Sequence, residues 1–142
     1  MTYFLLEPEV AGELGPHTEM DTSVHPPRVH RLHYEITDWL GDELLESFPC
    51  FLISRRLGER AAAEGLTGFE LADVEVTLSP EAEELLGDVQ LPEFRWLKVT
   101  GVAGSADFGL TAKAQLVVSE RALDVLREGS LENCDVEEFT GE

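Results

Sequence analysis

Basic residues are scarce in this chain. Ten Lys and Arg face twenty-nine Asp and Glu over 142 residues, a formal net charge of −19. A field of that sign repels nucleic acid and anionic membrane, because both carry dense negative charge. Long apolar runs are missing too, and nothing approaches the length a membrane-spanning helix needs. The opening MTYFLLEPEVAGELG has no basic region followed by a long apolar stretch, so no secretory signal is read and a cytoplasmic location is expected. The two cysteines, Cys50 and Cys134, are far apart and form no CxxC pair. They are expected to be small apolar packing groups rather than redox or zinc ligands.

Catalytic signatures are equally sparse. There is no HExxH, GxSxG, GxxxxGK or CxxC. GVAGSADFG, residues 101–109, is glycine-rich but lacks GxGxxG spacing and a following helix, so it reads as a turn between strands. No cofactor is expected.

What the chain does have is patterned apolar content. At 43% hydrophobic residues it is too apolar for disorder at this charge, and its length suits one domain with one core. Tyr3–Glu7 reads as a strand, followed by a loop-like region to about Arg28. Val29–Ile36 reads as one strand in which Leu32, Tyr34 and Ile36 alternate with His33 and Glu35. Asp38–Phe48 has the acidic start and leucine pair of a short helix or turn. Cys50–Ile53 is a buried strand, and Ser54 caps a helix that stops at Gly65. Phe69–Leu78 reads as one strand with a bulge near Ala72-Asp73, where the apolar phase changes. Ser79-Pro80 opens a helix ending at Gly87. Phe94–Thr100 and Gln115–Val118 are strands, Ser119 caps a last helix, and Cys134–Phe139 is a final strand. These elements predict an α+β domain over residues 1–142: a mixed β-sheet of about five to seven short strands with two to four short helices packed on it.

One echo runs through the chain. FLISRRLGERAAAEGLTGF and LVVSERALDVLREGSLENC superpose Ser54 on Ser119, Arg56 on Arg121, Leu66 on Leu131 and Phe69 on Cys134. Two βα units needing the same caps explain these matches without a duplication.

All four histidines fall in HTEMDTSVHPPRVHRLH, residues 17–33. A metal-dependent hydrolase would draw on His25 with His30 or His33 and on Asp21, because a metal site needs ligands that converge at about 2 Å from the ion. Strand alternation opposes this, since it places His30 with Leu32 and Tyr34, and His33 with Arg31 and Glu35 on the other face. The expected arrangement is a satisfied polar cluster of Arg31, His33 and Glu35, with no metal site.

The acids themselves are the remaining signal. Ala61–Phe94 holds Glu64, Glu70, Asp73, Glu75, Glu81, Glu83, Glu84, Asp88 and Glu93 with no Lys or Arg, and Glu132, Asp135, Glu137, Glu138 and Glu142 follow in the tail. Trp39, in DWLGDELLE, is a tryptophan among acids, which is a plausible contact centre even though packing suits it as well. The candidate partner-binding residues are therefore Asp38, Trp39, Asp42, Glu43, Glu46, Glu70, Asp73, Glu75, Asp135, Glu137 and Glu138.

The segments YFLLEPEVAG, SVHPPRVHRLHYEITDWLGDELLESFPCFLIS, LTGFELADVEV, LPEFRWLKVTG and DFGLTAKAQLVVSERALDVL resemble the bacterial immunity proteins of polymorphic-toxin systems, long catalogued only as a domain of unknown function. VHPP, WLGDELLESFP and LVVSERALDVL carry most of the resemblance, which covers nearly the whole chain. It implies a non-enzymatic protein that binds and blocks a cognate toxin. The dense negative charge suits fast capture of a basic target such as a nuclease. An acidic adaptor with several basic partners is the other binding-class expectation.

Overall fold

The computed structural model describes residues 2–140. In chain order the elements are β1 (Tyr3–Glu7), β2 (Gly12–Leu14), β3 (Glu19–Asp21), β4 (Arg28–Arg31), β5 (His33–Ile36), β6 (Leu44–Ser47), β7 (Cys50–Ser54), α1 (Arg55–Ala63), β8 (Phe69–Ala72), β9 (Glu75–Leu78), α2 (Pro80–Leu86), β10 (Phe94–Val99), β11 (Phe108–Leu110), β12 (Leu116–Ser119), α3 (Glu120–Leu126) and β13 (Asp135–Phe139). The class is α+β, as expected, and all three helices begin where a serine can cap them. Ser54, Ser79 and Ser119 each accept from a backbone N–H three residues on, at 3.3, 3.1 and 3.1 Å. Among the described residues, no helix is long and apolar enough to cross a membrane.

The strands exceed the expected five to seven, numbering thirteen among the described residues, and they form four sheets rather than one. The difference has local causes. The region read as a loop holds β2 and the β3–β4 hairpin. Val29–Ile36 breaks at Leu32, so β4 pairs with β3 while β5 pairs with β2 and β9. Leu44–Ser47 is a strand rather than part of a helix, because Leu44 and Leu45 face opposite cores. Phe69–Leu78 is not one bulged strand: its phase change marks the passage from β8 in one sheet to β9 in another. Phe108–Leu110, read as turn, pairs with β12.

Two four-stranded antiparallel sheets form the frame, in the orders β6-β7-β10-β8 and β11-β12-β1-β13. Alternation along the first sheet feeds two cores. Leu44, Phe51, Ile53 and Leu97 point toward the second sheet and helices α1 and α3. Leu45, Leu52, Phe94 and Trp96 point the other way, against Tyr34 and Ile36 of the sheet β2-β5-β9 and Ala82 of α2. Each fully buried large side chain here contributes about 1.5–3 kcal/mol.

The echo in the sequence is larger than shared capping requires. Hairpin β6–β7, helix α1 and strand β8, with β10 inserted between β7 and β8, have the same order and pairing as hairpin β11–β12, helix α3 and strand β13, with β1 inserted between β12 and β13. The chain is built from two like halves packed through α1 and α3.

A matched pair of carboxylates joins them. Glu43, just before β6, accepts from Ser54 Oγ (2.7 Å) and Arg56 (2.8 Å) of its own half, and from the Ser130 N–H (2.9 Å) after the other half's helix. Asp107, just before β11, accepts from Ser119 Oγ (2.6 Å) and from Arg121 Nε and Nη2 (3.0 and 2.9 Å). It also accepts from the Thr67 N–H (2.9 Å), which follows α1 of the first half. Each serine therefore caps its helix and donates to an acid at once, and each acid latches the opposite half. The Arg121 guanidinium, with Ser119 and Thr67, holds the Asp107 carboxyl far below the usual range despite its burial. Burial pushes Glu43 up, but Arg56, Ser130 and Ser54 together outweigh it and lower the carboxyl.

Candidate functional site: two clefts of opposite character

Exchange of the two halves carries one surface cleft onto another. The first lies where the end of β1 and the start of β12 meet the β6–β7 turn. Its walls include Leu6–Val10, Glu46–Phe48, Gln115 and Asp135, around about 670 Å³. The second lies where the end of β10 and the start of β7 meet the β11–β12 turn. Trp96–Val99, Pro49–Phe51 and Leu110–Ala112 line it, around about 360 Å³. The frames match and the chemistry does not. Among the described residues, the first cleft holds Glu7, Glu9, Glu46 and Asp135 and no cation, while the second holds Lys98 and no acid.

The acidic cleft also carries exposed apolar side chains. Val10, Leu40 and Phe48 are 67, 65 and 47% exposed, and all three line it. Large apolar groups at that exposure on one rim mark a contact surface more than isolated surface residues do. Their presentation is built by buried polar groups. Glu9, 5% exposed, accepts from the Leu40 and Asp42 N–H groups at 2.6 and 3.1 Å, which fixes the loop that holds Leu40 outward. Burial raises the Glu9 carboxyl, opposed by those two bonds. The fully buried Tyr34 hydroxyl accepts from the Ala11 N–H and donates to the Glu46 carbonyl at 2.9 Å, which seats β6 against the cleft floor. The Glu46 side chain itself makes no hydrogen bond or ion pair among the described residues. Desolvation, with Glu7 nearby, pushes it up to about 7. A half-buried carboxylate beside a second one is a place where a cation would be favoured.

The structure gathers some of the sequence-predicted contact residues and disperses the rest. Glu46 and Asp135 share the acidic cleft, while Asp38 and Trp39 precede its Leu40 in the chain without lining it. Trp39 is half-buried, donates to the Asp42 carbonyl at 2.8 Å and packs edge-on against Phe94, so much of it is structural. Asp42 and Glu43 are not available to a partner, being 1 and 7% exposed. Asp42 accepts from the Glu132 and Asn133 N–H groups at 3.0 and 2.8 Å, and Glu43 is the latch described above. Glu137 and Glu138 are exposed on β13 beyond Asp135. Glu70 is exposed on β8, Asp73 pairs with Arg95 at 3.4 Å, and Glu75 pairs with His17 at 3.0 Å. Those three line no part of the acidic cleft.

The histidines do not assemble as the hydrolase reading required. Asp21, His25 and His30 lie in the exposed β3–β4 hairpin and its turn, and His25 faces Phe48 with ring centroids 6.2 Å apart. His33 is 3% exposed on β5. Its neighbours are not Arg31 and Glu35: His33 Nδ1 accepts from the His17 N–H at 3.2 Å, and Nε2 pairs with Thr77 Oγ1 at 2.8 Å. Among the described residues, the one grouping with metal-ligand proximity is His17, His33 and Glu75. The His17 and His33 rings stack at 4.8 Å with planes 26° apart. A ligated ion lies near the plane of each ring that binds it, so stacked rings cannot converge on one ion without rearrangement. Both His33 nitrogens are also already engaged, which makes this a packed polar cluster. Cys50 is buried, and desolvation pushes its thiol up to about 12, as suits an inert packing group.

Sequence reasoning missed Glu7, Glu9, Val10, Leu40 and Phe48 at the cleft and Asp107 at the latch. The signal for Asp107 was present. Ser54-x-Arg56 and Ser119-x-Arg121 each offer a hydroxyl and a guanidinium on one helix turn, and each calls for an acid upstream. Comparison of the chain with protein-family models and with curated proteins gives no match.

Proposed function

We propose that the protein is an immunity-type inhibitor, which binds a basic toxin domain through the acidic cleft and neutralises it by occlusion. The observation that carries this reading is the coincidence, on one concave surface, of Val10, Leu40 and Phe48 with the carboxylates of Glu7, Glu46 and Asp135, which make no ion pair among the described residues. Exposed apolar groups supply the desolvated centre of a contact, and acids at its floor and rim select a cation-bearing partner. The net charge of −19 supports rapid capture of such a partner. The resemblance noted in the sequence points the same way, and a cytoplasmic site of action belongs to this reading.

The test is co-expression with toxins encoded beside the gene. Protection of cells, and a complex weakened at least tenfold by Glu46→Lys combined with Phe48→Asp, is the expected result. If no neighbouring toxin is neutralised or bound, the reading fails. If one is bound but the double variant binds it equally well, the cleft is the wrong surface.

A further inference from the structure

The second cleft does not fit the acidic-docking account, and its chemistry is distinct. It is lined mainly by Pro26, Pro27, Pro49, Trp96 and Leu110, with Lys98 as its one charged residue. Lys98 is one of four cations, with Arg28, Lys113 and Arg127, that make no ion pair among the described residues, and it is the one of the four that is half-buried. Six of the eight arginines make ion pairs, whereas no carboxylate lies within ion-pair distance of Lys98 among the described residues. Its ammonium sits 4.9 Å from the centroid of the Trp96 ring and is only half-exposed. Glu70 lies opposite Lys98 in the β8–β10 ladder but closes no ion pair with it among the described residues, so the ammonium at the wall of this apolar cleft remains available to an anion from outside.

We propose that this cleft binds a small carboxylate with an apolar body, its carboxylate on Lys98 and its body against Trp96, Leu110 and the prolines. The volume of about 360 Å³ falls within the range of small-ligand sites. One cation in an otherwise acidic protein favours a monoanion, because a dianion would keep an unneutralised charge in a repelling field. A cationic ligand would meet Lys98 directly. Apart from Lys98, the one hydrophilic side chain among the described lining residues is Thr111, whose hydroxyl already donates to Gln115, which fits an alkyl or aryl body and not a sugar. Three prolines at the rim lack backbone N–H groups and keep that rim apolar. This inference is independent of the toxin-binding reading, since it concerns other residues and an opposite charge.

Octanoate, octanol and octylammonium titrated into isotopically labelled protein form the test. The expected affinity order is octanoate, then octanol, then octylammonium, with saturable shifts at the Trp96 indole and the Lys98 and Leu110 amides. Lys98→Gln lowers octanoate affinity about tenfold, toward that of octanol, and leaves octanol unchanged. Ala112→Trp, a change at an exposed turn position, blocks octanoate and octanol alike. N-acetyl-leucyl-leucine binding more tightly than octanoate would identify the natural carboxylate as a peptide end; the reverse order would identify a free acid. Equal binding of octanoate and octylammonium overturns the proposal. So does octanoate affinity that Lys98→Gln leaves intact, or shifts confined to Leu40 and Phe48.

Discussion

The half built from β6, β7, α1 and β8 and the half built from β11, β12, α3 and β13 share their strand order, their capping serines and their latch, yet differ at every surface a ligand could reach. Sheet β6-β7-β10-β8 has its outer face covered by β2, β5, β9 and α2. The corresponding face of the second sheet carries Tyr3, Leu5 and Phe139, only half-buried, among the acids Glu7, Asp135 and Glu137. The clefts differ in the same sense: one is acidic and rimmed by exposed apolar groups, the other apolar with a lone lysine. What the halves keep is what closes the frame. What they vary is what meets solvent, as expected where packing constrains the first set and function the second.

The latch is where the comparison breaks most visibly. Asp107→Ala should cost about 3 kcal/mol and Glu43→Ala about 2 kcal/mol in denaturant unfolding, because Asp107 leaves more donors without a partner. Equal losses, or a larger loss at Glu43, would show the two latches to be interchangeable. Both carboxyls are lowered on folding, so the stability they add is present above their ordinary values and is lost as pH falls through the folded ones. Asp107→Asn should therefore flatten the acid limb of a stability-against-pH curve; an unchanged limb would remove the latch from the account.

Glu46 runs with the opposite sign. Its carboxyl is raised on folding, so the folded state loses stability as pH climbs from about 4.5 toward 7. Glu46→Gln should gain about 1 kcal/mol at pH 8 and nothing at pH 4, a modest figure because the side chain is only partly buried. A gain of the same size at both pH values would mean that packing, not charge, is responsible. If the acidic cleft captures a basic partner, the association rate should fall severalfold between about 0.05 and 0.5 M salt, as exposed charges are screened. A flat rate by stopped flow would remove steering. The smallest effect belongs to His17→Ala: its ring is exposed, and thermal unfolding should register less than about 0.5 kcal/mol.

Legibility in the sequence followed the physics that governs each element. The helices were readable because serine caps and glycine stops act within four residues. β1, β7 and β12 were readable because their apolar runs are continuous, β10 because Phe94, Trp96 and Leu97 stand among only two cations, and β13 from the strand-formers Val136 and Phe139. Phe69–Leu78 was misread because a change of phase looks the same whether a strand bulges or leaves for another sheet, and only the partners decide. Asp42 and Glu43 looked like surface charge because composition cannot reveal that backbone N–H groups from residues 130–133 converge on them. The acidic cleft brings residue 7 beside residues 46 and 135, a closeness created entirely by the insertion of β1.

That insertion has a consequence for the making of the molecule. Strand β1 lies inside a sheet whose other three strands, β11, β12 and β13, follow it by a hundred residues or more. Tyr3–Glu7 must wait, with Phe4 and Leu6 unburied, until Asp135–Phe139 has been synthesised. Assembly of this sheet thus closes contacts over more than a hundred residues, a slow class of contact.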